Sequence, residues 1–210
     1  MLKVKHKHLK EVVNASHRKS LYNDFSEECH NARMDAANLV KQFYEAKNDA
    51  ERKSTLTELF NSVGENVAIQ PGFRCEYGFN ISVGDNTFIN WDCIALDCDE
   101  INLGSNILIG PRVGLYTANH AIDKNERQLG GCYSEAITIG DNVWLCADVT
   151  ICGGVKIGPG SIIAGGSVVT KDIPDNVIAG GNPAKVIRAI TDDDKTGYVA
   201  QDSKIRSWDE

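Results

Sequence analysis

The sequence lacks a run of eighteen apolar residues and a charged-then-apolar leader ending in small residues, which leaves no candidate for a membrane span or a secretory signal. Positive charge is also scarce. Against 29 Asp and Glu there are 22 Lys and Arg, a formal net charge of −7, so no global field exists to gather nucleic acid or anionic lipid. No pair among the seven cysteines, at 29, 75, 93, 98, 132, 146 and 152, has the C-x-x-C spacing of a zinc or redox motif. Odd in number, they read as small apolar fillers in a reducing compartment, and the expected location is the cytoplasm. The one basic run, Lys3, Lys5, Lys7 and Lys10 with His6 and His8, is expected to be a solvated, frayed end.

What is present is a period of six. Aliphatic residues stand at Val83, Ile89 and Ala95, then after a two-residue slip at Leu103, Ile109 and Leu115, then at Ile139, Leu145, Ile151, Ile157, Ile163 and Val169. Four residues after each comes a small or β-branched residue, such as Thr87, Val113, Val149 or Ser167. One inward anchor per six residues suits a short strand that turns a corner, with three such units bringing the chain back above its start. The groups Gly84-Asp85-Asn86, Gly104-Ser105-Asn106 and Gly158-Pro159-Gly160 supply residues that tolerate unusual backbone angles at those corners. A β-sandwich with Gly-rich turns would not keep this register through six consecutive units. The expected fold is therefore all-β in its main domain, a parallel β-helix over 63–190 whose same-facet residues are eighteen apart.

Two interruptions stand out. Asp97-Cys98-Asp99-Glu100 reads as a bulged corner, and residues 116–136 lose the anchors yet span a multiple of six, so they are expected to project as a loop. Before the repeat, 1–62 forms a helical segment, with an amphipathic helix over 26–48 and a second near 50–61. Asp24 with Glu27 resembles a capping box. The tail 191–210 is polar and expected to be loosely held.

Of five histidines only His120 lies within the repeat region, in the projecting loop. An imidazole can take a proton from a hydroxyl at neutral pH, although an ordinary surface histidine looks the same in composition. The other histidines, at 6, 8, 17 and 30, do not complete a catalytic zinc set, and no metal is expected. No G-x-S-x-G signature is present, so acyl transfer would proceed by direct attack.

The segments Ile137-Thr138-Ile139-Gly140-Asp141-Asn142-Val143-Trp144, Gly165-Gly166-Ser167-Val168-Val169-Thr170-Lys171-Asp172-Ile173-Pro174 and Gly180-Gly181-Asn182-Pro183-Ala184-Lys185-Val186-Ile187-Arg188 resemble the hexapeptide-repeat acetyltransferases. More narrowly, the chain from about Tyr22 to Ile190 is similar to their maltose and galactoside O-acetyltransferase branch. The resemblance implies a left-handed helix, a homotrimer, and acetyl-CoA as cosubstrate in a groove between two subunits. It implies transfer to a sugar hydroxyl with His120 as general base, in the match Thr117-Ala118-Asn119-His120, where Ala121 replaces the family's usual Pro. Asn90 matches the position that stabilises the transition state, though a corner Asn supporting a turn would look alike. Asp24, Arg33 and Glu76 match acceptor positions, with Asp24 as a mere cap and Arg33 as a solvated residue the competing explanations. Cys98 replaces an acidic acceptor residue of the galactoside enzymes, and Asp97 beside it is expected to face the sugar. Ala147 and Gly165 match positions along the pantetheine arm. Thr170, Lys171, Lys185 and Arg188 match the cluster near the nucleotide phosphates, and Trp144 lines the thioester end or packs at the trimer contact. The alternatives are an acetyltransferase for a glycan precursor or antibiotic, and a non-catalytic β-helix scaffold.

Overall fold

In the computed structural model, which describes residues 1–199, the six-residue period becomes a left-handed parallel β-helix, against the usual right-handed crossover preference. Its cross-section is a triangle. The first face stacks Ser62–Val63, Ile81–Val83, Ile101–Leu103, Ile137–Ile139 and Lys156–Ile157. On the second lie Ala68–Ile69, Phe88–Ile89, Leu108–Ile109, Trp144–Leu145, Ile162–Ile163 and Val177–Gly181, and Ala184–Ala189 returns antiparallel on the last of these. The third stacks Arg74–Cys75, Ile94–Leu96, Gly114–Tyr116, Thr150–Cys152 and Val168–Val169.

Every anchor named from the period is buried, from Val83 to Val169, and they form aliphatic ladders inside the prism. Burying each large aliphatic contributes about 1.5–3 kcal/mol. The corners carry the backbone cost. Asn66, Asn86, Asn106 and Asn142 take φ between 54° and 58° on the corner joining first and second faces. Asn66 Nδ2 donates to Asn86 Oδ1 at 3.0 Å, and Asn86 Nδ2 to Asn106 Oδ1 at 3.3 Å. Asparagine is the residue other than glycine that visits this region most readily, and the ladder ties its amide in place.

The eighteen-residue pitch holds where Thr138 pairs with Lys156, Trp144 with Ile162 and Thr150 with Val168, and the final coil shortens to sixteen, Ile162 pairing with Ile178. Earlier coils repeat every twenty, as in Ser62 with Ser82 and Phe88 with Leu108. The reason is that two extra residues occur twice, at the corner after Cys75 and again after Leu96, and the two enlarged corners stack. On the next coil this same corner, between third and first faces, opens into the projecting loop.

That loop is an ordered hairpin rather than open coil. Strands Ala118–His120 and Gly131–Ser134 flank a short helix, Lys124–Gln128, and the second strand also pairs with Tyr22–Asn23 near the N-terminus.

Four helices precede the coils: α1 (Leu2–Lys5), α2 (Lys7–Asn14), α3 (Glu27–Glu45) and α4 (Asp49–Leu59). The N-terminal basic run, expected to fray, is docked instead. Leu2, Leu9 and Val13 are buried, the His6 ring lies 2.6 Å from Asp35, and Lys10 Nζ donates to the Phe79 carbonyl at 2.9 Å. Its apolar residues recur at helical spacing beneath the lysines, which is why charge alone misled. The tail is likewise held as far as Asp194, whose carboxylate binds Arg188 at 2.7 and 2.8 Å. Residues 200–210 of the tail lie outside the described residues.

Candidate active site

Ser26, not Asp24, caps α3, its Oγ accepting from the Cys29 N–H at 3.2 Å. The expected Asp24–Glu27 box does not form, and Asp24 is free for another partner. Arg33, two turns into α3, extends its guanidinium to the Asp24 and Glu76 carboxylates and accordingly is not a merely solvated helix residue. Arg33 Nη1 also donates to the Asp24 carbonyl at 3.1 Å, and the guanidinium stands 5.7 Å from the centroid of the Tyr77 ring. The structure thus brings three of the sequence-predicted acceptor residues into one partly buried cluster. Two carboxylates on one guanidinium leave the cluster with a net negative charge and lone pairs for hydroxyl donors.

Asp97 does not belong to that surface. Expected to face the sugar, it is fully buried and turned inward, Oδ1 accepting from the Glu76 and Tyr77 N–H groups at 3.0 and 2.9 Å and Oδ2 from the Asn80 N–H at 3.2 Å. Burial pushes its carboxyl up to about 7, opposed by those backbone donors. The enlarged corner turns sharply enough to aim several N–H groups at one point, and a short carboxylate is what satisfies them. Asp97 therefore holds Glu76 in place from behind.

His120 sits on the outer strand of the small sheet, exposed, directly opposite Cys132, which is in turn opposite Tyr22. Residues paired across a sheet share a face. His120, Cys132 and Tyr22 therefore form one row, and the row ends two residues from Asp24. Tyr22 and Cys132, missed from the sequence, are placed by hairpin register alone, which no residue pattern announces. Burial pushes the Tyr22 phenol and the Cys98 and Cys132 thiols up, so all three stay neutral near pH 7, and neither thiol is a nucleophile.

Asn90 occupies a different edge. It turns the corner from second to third face, donates its backbone N–H to the Ile109 carbonyl at 3.0 Å, accepts the Trp91 N–H on its Oδ1 at 2.8 Å, and has no partner for its side-chain N–H groups among the described residues. Below it on this edge lie Gly110, Cys146 with Ala147, and Gly165. Gly166 N donates to the Ala147 carbonyl at 2.9 Å, and a Cβ on Gly165 would stand 3.2 Å from that oxygen. Small residues here leave an open backbone track, a fit for an extended thioester-bearing arm. Lys185 pairs across from Gly180 near the foot of the track. Thr170 and Lys171, by contrast, follow the third face and stand at the loop's edge, so one protomer does not unite the four expected phosphate ligands. Arg188 is occupied by Asp194.

The outward side of the second face is apolar along its length: Ala68, Phe88, Leu108, Trp144, Ile162 and Ile178 are in continuous register, with Leu108 50% and Trp144 47% exposed. The first face presents Ser62, Ser82, Asn102, Thr138 and Lys156 instead. Such a contrast marks an interaction surface.

A family model described as bacterial transferase hexapeptide (six repeats) matches residues 136–171. The galactoside O-acetyltransferase of Escherichia coli is 44% identical over 156 residues, 74% of this chain and 76% of that protein. This chain belongs to the hexapeptide-repeat acetyltransferase family, in the maltose and galactoside branch. A solved galactoside acetyltransferase in complex with coenzyme A superposes with a TM-score of 0.82 at 38% identity, covering 95% of this chain and 98% of that one. A maltose O-acetyltransferase from Clostridium difficile gives 0.81 at 40% identity, covering 87% and 97%. As a member of this branch the chain is an acyltransferase.

Proposed function

We propose that this acyltransferase moves the acetyl group of acetyl-CoA to a hydroxyl of a maltose-, glucose- or galactoside-type sugar, as a cytoplasmic homotrimer with each active site between two protomers. The observation that carries the reading is the pairing of an acceptor-type cluster, Asp24, Arg33 and Glu76, with a histidine in the adjoining sheet row. The solved relative that binds coenzyme A supports the cosubstrate, and the names of the relatives support a sugar acceptor.

His120 and Asn90 lie on different edges of the prism with the third face between them. A single site that uses both draws the histidine loop from one protomer and the asparagine corner from its neighbour. The same split explains Thr170 and Lys171, which stand at the loop edge, and Ala147, Gly165 and Lys185, which follow the Asn90 edge. The apolar second face is the surface the trimer buries, with Trp144 within it. Seven free cysteines fit a reducing compartment.

In this arrangement His120 takes the proton from the sugar hydroxyl as its oxygen attacks the thioester carbonyl. Negative charge gathers on the carbonyl oxygen, where the free amide N–H of Asn90 donates. Collapse breaks the carbon–sulfur bond, and His120 returns its proton to the departing thiolate. No covalent enzyme intermediate forms. The test is release of free thiol from acetyl-CoA with a panel of mono- and disaccharides. Sugar-dependent release by the wild type that His120→Ala abolishes is the expected result, and equal background release by both proteins overturns the reading.

A further inference from the structure

The loop that carries His120 is fastened at its root by two buried hydroxyls. Thr117 Oγ1 lies 2.7 Å from the Leu96 carbonyl and accepts from the Asp99 N–H at 2.9 Å. On the opposite strand Ser134, buried, has its Oγ 3.1 Å from the Cys98 carbonyl, 3.1 Å from the Val13 carbonyl and 3.1 Å from Ser16 Oγ, while its own N–H donates to Ser16 Oγ at 3.1 Å. Ser16 Oγ stands 2.7 Å from the Val13 carbonyl.

Counting hydrogens assigns the network. Two hydroxyl protons serve two carbonyls: the shorter contact gives the Ser16 proton to Val13, which leaves the Ser134 proton for Cys98. The Ser134 N–H then finds its acceptor in Ser16 Oγ, and each donor of these two serines is satisfied. Remove the Ser16 hydroxyl and the Ser134 N–H is left unpaired in the interior, a conflict the hairpin relieves by shifting.

Ser134 pairs with Ala118, and two residues along each strand is the Cys132–His120 pair. Since strand residues rise about 3.4 Å each, the His120 backbone is held roughly 7 Å from this knot, with the Asn119–Tyr133 pair between them. The N-terminal side of the knot is rigid in its turn, because Val13 is fully buried and α2 is tied to the first coil through Lys10.

We propose that Ser16 and Ser134 are positioning residues that set the placement of His120 over the acceptor, so that residues 1–20 belong to the catalytic unit rather than forming an appendage. The inference rests on the reading of His120 as general base. It concerns the end of α2, which touches neither the acceptor cluster nor the coenzyme track.

The test compares wild type, His120→Ala, Ser16→Ala, Ser134→Ala and the hydroxyl-retaining Ser16→Thr, each first checked for assembly and thermal melting. A misplacement of the base by a fraction of its reach lowers kcat about 10- to 100-fold. Expected for Ser16→Ala is a loss of that size with KM for acetyl-CoA within about twofold of wild type, and recovery in Ser16→Thr. Should Ser134→Ala fail to fold, Ser16→Ala carries the test, because it leaves the Ser134–Cys98 bond intact. Wild-type kcat in Ser16→Ala, or a parallel loss of kcat, coenzyme binding and melting temperature, overturns the positioning role while an inactive His120→Ala preserves the base assignment. An active His120→Ala overturns that assignment itself.

Discussion

His120 stands directly across a two-strand hairpin from Cys132, whose backbone also pairs with Tyr22. The proposed general base is thus aligned with the entrance to α3, where Asp24 meets Arg33, by three short strands from two distant parts of the chain.

Removing the imidazole leaves that frame intact, since backbone pairing holds the strand and no side-chain bond to His120 is present among the described residues. His120→Ala should lower kcat by about 10²- to 10⁴-fold with unchanged melting temperature. Steady-state kinetics beside a thermal melt checks both halves.

Arg33→Ala removes the cation that joins the two carboxylates of the acceptor cluster. Two facing acids, each less than one-fifth exposed, then repel, and stability should fall by about 2 kcal/mol together with a marked rise in acceptor KM. Arg33→Lys recovers less than its charge suggests, because an ammonium cannot span two acids with a planar fork. Urea melts and acceptor titrations measure the two effects.

Asp97 makes stability depend on pH in an unusual direction for an acid. With its carboxyl raised to about 7 by burial against an ordinary 3.8, the folded protein binds a proton between those values that the unfolded chain does not. Its contribution is therefore full below about pH 4 and is lost as pH rises through 7. Denaturation midpoints from pH 4 to 9 should show this slope in wild type and a flatter one in Asp97→Asn. An unchanged slope would place the titration elsewhere.

The apolar second face predicts assembly. Leu108, half exposed, is flanked in register by Phe88 and Trp144, so Leu108→Glu introduces a charge in mid-stripe. Sedimentation should show the 22.9 kDa monomer in place of a trimer, with activity falling in step.

The coils were legible because the interior of a narrow prism accepts one large aliphatic per side, and that demand recurs every six residues between Val83 and Val169 except at the slip before Leu103 and the loop before Ile139. Their pitch was not, because the extra residues after Cys75 precede the first clear anchor. Lysines at positions 3, 5, 7 and 10 concealed the buried Leu2, Leu9 and Val13 beneath them. Acidic residues near a sugar site invite the same reading whether they face out, as Glu76 does, or in, as Asp97 does. Only the corner geometry, with its gathered N–H groups, separates the two. Arg33 was found through the family resemblance, and Ser16 and Ser134 carry no sequence mark at all.

The proposed two-protomer site admits a direct measurement. His120→Ala and Asn90→Ala trimers, each impaired by about 10²-fold or more, are mixed in equal amounts, dissociated and reassembled. Random assembly makes about three-quarters of the trimers mixed, and each mixed trimer joins one intact His120 loop to one intact Asn90 corner among its three sites. The account predicts recovery of about a quarter of wild-type activity on that basis. Activity no higher than that of the two separate variants would contradict it.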